Sequence, residues 1–392
     1  MHADTTDSLA LLRQERLRTV MRRIGTAAIL TADPITITYA TGAQNMTIFG
    51  MMGPSRFLLL FADGPAILFE FAGCDHLAAG LATIDEIRSA PGTTALAGYR
   101  YQLAVNAFAD EIAAACLQHA GIGERLGVHR IELVLSDALR ASGVTLVDAG
   151  PVFNEARRVK LDAEVVVMRE AVRRAEAAAA HMALGIEPGR TEIEVWSEFH
   201  RAVIASGGQY VVTRLLQSGP RTFPYFQEAS DRVIGAGELV AFDADTTGWQ
   251  GYAVDFSRTW VCGAPRASAV QRELHDRARE QLEWNAALLR PGVSFQTLAR
   301  DAWPVPDEYR PTSYYAVGHG LGMSGDYPNI SLFDPTTEYP LDDGLEPNMV
   351  ICIESYVGSA AAGQGVKLED QYLITEGGAE RMTTLPFDAA FD

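Results

Sequence analysis

Residues 239–260, LVAFDADTTGWQGYAVDFSRTW, constrain this chain more than any other stretch. Two apolar, β-prone runs flank a turn-like Thr246-Thr247-Gly248, and the pattern predicts a hairpin. Asp243 and Asp245 stand two apart, so in a strand both project from one face, and the returning strand can bring Asp255 to the same place. Three clustered carboxylates repel unless a cation lies between them. A solvated turn is the alternative, because Asp is common in turns. The apolar flanks argue against it: carboxylates in buried strands are costly without a counter-charge, which points to a metal ion.

Further ligands are then expected downstream. VGHGLG carries His319 between glycines, expected to let the backbone approach a ligand closely. MVICIE ends an apolar run in Glu354, and GVKLEDQYLIT sets Glu369 inside another β-like run. A single His or Glu is ordinarily a surface or core residue. The order Asp, Asp, His, Glu, Glu, each in its own apolar run, is far more specific.

These residues and the phrases GYAVDFSRTW, GHGLG and GVKLED resemble the pita-bread metalloenzymes, which include methionine aminopeptidase, prolidase and the metal-free creatinase. The likeness covers about residues 155–385. It implies an α/β (α+β) chain: a smaller creatinase-like N-terminal α/β domain, 1–150, and a C-terminal pita-bread catalytic domain, 151–392. It also implies two metal ions held by an Asp of the 243/245 pair, Asp255, His319, Glu354 and Glu369. Within that family the sequence is most similar to the dimethylsulfoniopropionate (DMSP) lyases. They share the Asp-x-Asp pair, whereas peptidases carry one Asp eleven residues before the second; they also share Lys367, where peptidases tend to carry Arg.

Composition sets outer limits. At 392 residues and 48% hydrophobic content, two sizeable cores are expected. A formal charge of −18 disfavours nucleic acid and anionic membranes as partners and suits a cationic or zwitterionic small molecule. Four scattered cysteines without CxxC spacing predict reduced thiols, and the absence of a signal-like or long apolar run predicts a cytoplasmic protein.

In chain order, residues 4–25 predict a helix capped by Thr5 or Asp7, with Leu9, Leu11, Leu12, Leu17, Val20 and Met21 as its buried stripe. Strands are expected at 27–30, 35–39, 56–61 and 66–71, a helix near 104–120, and a linker at 153–160. Long helices follow at about 161–184 and 191–206, the second opened by the capping box Thr191-x-x-Glu194. The segment LQSGPRTFPY, 216–225, predicts a loop near the site. A helix over 268–289 is expected on the far side of the hairpin from the metals.

Five carboxylates and one imidazole suit one or two first-row divalent ions. The residues leave Mn, Fe, Co and Zn open, and the resemblance implies iron. It also implies a homodimer and a carbon–sulfur lyase, in which a base removes the proton beside the DMSP carboxylate while dimethyl sulfide departs and acrylate remains. Peptidases keep a second His seven residues after the metal His; here that position is Asp326, which disfavours amide hydrolysis. The lyases' proposed base lies six residues after the metal His, where this chain has Gly325, so Asp326 is the candidate base beside Tyr314. Tyr315, Tyr327, Trp249 and Phe223 are candidates to hold the sulfonium by cation–π attraction. An Xaa-Pro dipeptidase-like hydrolase is the alternative. A non-catalytic scaffold fits poorly with a full ligand set.

Overall fold

A computed structural model describes residues 2–92, 95–121, 123–332 and 343–392, with the side chains of 2–7 and 95–97 outside that set. The chain divides into two compact units, 1–157 and 158–392.

The first unit runs α1 (His2–Ile24), β1 (Ala28–Thr31), α2 (Pro34–Thr41), α3 (Thr47–Met52), β2 (Phe57–Phe61), β3 (Ala66–Glu70), β4 (Glu86–Ser89), α4 (Tyr101–His119), β5 (Arg125–His129), α5 (Leu133–Ala141), β6 (Thr145–Asp148) and α6 (Gly150–Arg158). Its six strands order β4-β3-β2-β1-β5-β6, and Phe57, Leu59, Phe61 and Phe69 pack on Phe108 and Ile112 of α4.

Three expectations change here. Residues 35–39 are helical: Asp33 caps the helix by accepting from the Thr36 N–H, Pro34 sits in the first turn, and Gly42 ends it in the left-handed conformation. Capping at both ends outweighs the β-preference of the Ile and Thr residues between. The stretch 153–160 is mostly α6 rather than a linker, with Val152, Phe153 and Ala156 buried. Helix α1 begins at His2, ahead of Thr5 and Asp7, whose side chains lie outside the described set, and Leu11 and Leu12 are exposed.

The second unit contains α7 (Asp162–Ala183), α8 (Glu192–Ala205), β7 (Tyr210–Val211), β8 (Leu216–Ser218), β9 (Leu239–Asp243), β10 (Thr246–Thr247), β11 (Ala253–Val254), β12 (Ser257–Val261), α9 (Ala269–Ala287), α10 (Phe295–Asp301), β13 (Ala316–Leu321), β14 (Gly325–Ser331), β15 (Val350–Ser359), β16 (Gln364–Thr375) and β17 (Gly378–Arg381). Its main sheet orders β14-β13-β15-β16-β12-β9-β8, with β17 on β16. The capping box opens α8 as expected.

The hairpin is more elaborate than its sequence implies. Strands β9 and β12 pair antiparallel, yet Thr246 and Thr247 are not its turn. They form β10, the centre of a separate three-stranded sheet with β7 and β11, and the reversal falls at 248–252. Helix α9 lies where predicted: Leu274, Ala278 and Leu282 share one core with Ile351, Ile353, Val366 and Leu368. Among the described residues no helix is long and apolar enough to cross a membrane.

Candidate metal centre

Strand register assembles the site. Directly paired residues of an antiparallel sheet share a face. His319 pairs with Cys352, Glu354 with Glu369, Glu369 with Ser257, and Ser257 with Asp243. Cys352, Glu354 and Tyr356 alternate along β15, as Lys367 and Glu369 do along β16, so all project to one side.

The glycines beside His319 answer to the sheet rather than to a ligand. A Cβ on Gly318 would collide with the Cys352 carbonyl, and one on Gly320 with the carbonyls of Asp326 and Tyr327. Only glycine lets β13 lie this close to both neighbours.

On the shared face, His319 Nε2 lies 3.6 Å from Asp255 Oδ2, 3.5 Å from Glu354 Oε1 and 3.7 Å from Glu369 Oε1. Lys367 reaches in from the other side. Its Nζ donates to Glu354 Oε2 at 2.5 Å, Glu369 Oε2 at 2.8 Å and Ser257 Oγ at 2.8 Å, and lies 3.6 Å from Asp243 Oδ2. Asp243 also accepts from Ser257 Oγ at 2.8 Å and from the Tyr225 hydroxyl. Asp245 accepts from Thr213 Oγ1 at 2.7 Å.

The site crowds carboxylates around one imidazole and one ammonium. Burial, then repulsion from the neighbouring carboxylates, pushes Asp255 and Glu369 well above the usual carboxylate range. Burial and the Asp243 charge raise Asp245 to about 6. Burial works to lower His319, but its hydrogen bond to Glu354 and the charges of Glu354 and Glu369 win and lift it to about 9. Glu354 shows the converse: burial opposes its ionisation, yet Lys367 and His319 bring it down to about 2.

Among the described residues, the buried Asp255 Oδ1 and Glu369 Oε1 have no hydrogen-bond partner. Unpaired buried carboxylate oxygens are costly, and both carboxylates here face the His319 imidazole, through Asp255 Oδ2 and Glu369 Oε1. The donor set therefore fits a divalent metal ion.

Of the six sequence-predicted ligands, Asp243, Asp255, His319, Glu354 and Glu369 gather on this face, and Asp245 lies within reach of the charges of Asp243 and Glu354. Of the other candidates, Tyr314 stays beside the site, its ring centroid 5.8 Å from Lys367 Nζ with Tyr315 against it, and the rest lie elsewhere. Asp326 is held by Lys160, Oδ2 to Nζ 3.0 Å, and both side chains are nearly buried. Tyr314 joins an aromatic cluster, 5.7 Å from the Tyr225 ring and 4.9 Å from Tyr315. Tyr315 is half exposed and receives a hydrogen bond from Asn329. Phe223 lies against Gly358. Trp249 sits under the Arg174 guanidinium, 3.7 Å from its ring centroid. Tyr327 donates to Asp343 and packs edge-on against Phe295.

Sequence reasoning missed Tyr225, Phe226, Tyr356 and Ser257. Tyr225 is the centre of the cluster: its ring lies 4.4 Å from Phe226, 5.1 Å from Tyr356 and 5.3 Å from Lys367 Nζ. The LQSGPRTFPY segment, whose first three residues are β8 rather than loop, already ends on Tyr225, and the two-residue steps from Glu354 and Asp255 point to Tyr356 and Ser257. Those were the available signals.

The chain belongs to metallopeptidase family M24, matched over residues 166–376, and carries a creatinase/prolidase N-terminal domain over 13–159. It is 35% identical over 370 residues to the dimethylsulfoniopropionate lyase DddP of Roseovarius nubinhibens, covering 92% of this chain and 82% of that protein. The lyase of the same name from Roseobacter denitrificans is 32% identical, with 97% and 88% covered. A Xaa-Pro dipeptidase from Pyrococcus furiosus is 30% identical across 59% of this chain and 65% of its own length. In fold, the chain resembles the Xaa-Pro dipeptidase from Bacillus anthracis, with a TM-score of 0.77 at 22% identity over 96% of this chain and 98% of that one.

Proposed function

We propose that this protein is a metal-dependent carbon–sulfur lyase that converts DMSP to dimethyl sulfide and acrylate by base-assisted β-elimination. The observation that carries this reading is the aromatic cluster of Tyr225, Phe226, Tyr314 and Tyr315 set against an anionic metal cage. Likeness to DMSP lyases over most of both chains supports it.

Asp245, Asp255, His319, Glu354 and Glu369 would hold one or two ions, with Asp243 beside them; iron is the proposed metal. The ion would supply Lewis acidity at the substrate carboxylate. The protein's own residues supply the rest. Aromatic faces hold a sulfonium by roughly 0.5–2 kcal/mol each. The Tyr314 phenol is pushed up, chiefly by burial, so it acts as a neutral wall rather than a base. Lys367 keeps Glu354 and Glu369 fixed in orientation. Asp326 is the proposed base, its carboxylate held 3.0 Å from Lys160 Nζ.

Headspace detection of dimethyl sulfide from DMSP, run beside an Xaa-Pro dipeptide panel, tests the reading. Dipeptide cleavage without sulfide release would overturn it in favour of a hydrolase. With DMSP as substrate, Asp326→Asn should lower kcat about 10²-fold or more with metal retained. A raised KM at unchanged kcat would instead make Asp326 a binding residue.

The protein is further proposed to be cytoplasmic and to work as a homodimer. Ile48, Phe49, Met52 and Phe71 expose an apolar face in the first unit that a second copy would cover. Light scattering giving a mass near the 42.5 kDa of one chain would overturn the dimer.

A further inference from the structure

We infer that Cys352 is an additional ligand of the metal centre, giving it one sulfur donor among oxygens and nitrogen. The inference rests on the metal-centre reading above. Cys352 is paired directly with His319 and stands two residues before Glu354, so it faces the cage rather than the helix-packed side of its strand. Its side chain is fully buried. Donor atoms of Asp255, His319, Cys352 and Glu369 all lie within 4.8 Å of one another. Independently, Asp255 Oδ1 and Glu369 Oε1 are buried in the same cluster without a hydrogen-bond partner among the described residues.

A buried cysteine is commonly just a small apolar side chain. That account suits Ile351 and Ile353, which join the hydrophobic core on the opposite face. It does not suit Cys352, whose thiol donates to the Asp255 backbone carbonyl at 3.9 Å and lies among the donor atoms of Asp255, His319 and Glu369. On binding, the Sγ–H bond breaks, the proton leaves to solvent, and the sulfur electron pair goes to the ion. A soft donor in a hard set shifts preference toward Fe(II), Co(II) and Zn(II) over Mn(II).

Cobalt titration of the stripped, full-length protein tests this. Wild type should develop a near-ultraviolet sulfur-to-cobalt charge-transfer band, and Cys352→Ser should bind cobalt without it. Wild type should also release one more proton per filled site than Cys352→Ser. Its preference for Zn(II) over Mn(II) should fall at least about 10-fold in that variant. A protein with Cys74, Cys116 and Cys262 all changed to Ser, which leaves Cys352 as the sole thiol, should keep the band; its loss there overturns the inference even if Cys352→Ser does not fold. Cobalt binding to wild type without a sulfur band overturns the ligand assignment alone. Failure of wild type to bind any ion overturns the metal-centre reading itself.

Discussion

The two faces of β15 and β16 are built from alternate residues of the same strands, yet they follow opposite rules. Ile351, Ile353, Val357, Val366 and Leu368 pack against α9 in a core, and Ser355 among them is satisfied by Ala278 O at 2.7 Å and Gln281 Oε1 at 2.8 Å. Cys352, Glu354, Lys367 and Glu369, one step away along the chain, gather charged and metal-ligating groups in a buried place, which a bound cation suits. One face is closed largely by apolar packing; the other gathers donor atoms that fit an ion. Stability and function are thus separable by sequence parity, and single substitutions can test that separation.

The largest effect is expected from Glu354→Gln on the cage face. It should lose bound metal and reduce kcat/KM by more than the about 10–100-fold typical of residues that merely support a ligand. Plasma mass spectrometry for metal, beside circular dichroism, checks it. Full metal content in the variant would break the assignment.

Lys367→Met comes next. Removing the ammonium strands the charges of Glu354, Glu369 and Asp243, and losing one partner of a buried ion pair costs about 3–5 kcal/mol. The loss in Tm should be larger in stripped protein than in loaded protein, because the ion compensates. Equal losses in both would mean that Lys367 and the metal do not share the same charge problem.

Ile353→Ala, one residue from Glu354, should do the reverse. A buried Ile truncated to Ala costs about 2–5 kcal/mol, while metal bound per folded molecule should stay at the wild-type value. If Ile353→Ala lost metal as Glu354→Gln does, the two faces would not be independent.

Much of this division was legible in the sequence, and the failures have physical causes. Asp243, His319, Glu354 and Glu369 sit in apolar runs that form buried strands, while Asp255 falls between β11 and β12, so most of the ligand chemistry and spacing is visible together. Helix α2 was misread because β-branched residues outnumber helix formers, while the decisive information lay in Asp33, Pro34 and Gly42 at its ends. Thr246 and Thr247 resemble a turn in sequence because one of the two strands that flank them, Tyr210–Val211, is remote in the chain. Tyr327 and Trp249 were nominated by proximity along the chain, which says nothing about which side of a sheet a ring occupies. Tyr225 was passed over for the same reason: it reaches Asp243 through a loop rather than through strand register.

The smallest expected effect concerns the helix-covered side. His275 on α9 is buried, stacks on Phe391 at 4.0 Å between ring centroids, and among the described residues finds no hydrogen-bond partner for either ring nitrogen. Burial lowers it to about 4, against an upward pull from Asp276, a downward one from Arg279, and upward ones from Asp388 and Asp392. Its folded value thus lies below the unfolded value of about 6.5. Between those two values the unfolded chain binds the extra proton, so stability present above pH 6.5 is lost as pH falls and stops falling below about pH 4. The full loss should be about 1–3 kcal/mol. His275→Phe keeps the stacking partner and removes the titrating ring, so its Tm should fall less than that of wild type from pH 7 to 4.5, with metal content at pH 7 unchanged. Because cage carboxylates titrate equally in both proteins, the difference between the two Tm profiles isolates His275. Identical profiles would show that the acid sensitivity of this unit resides wholly in the cage.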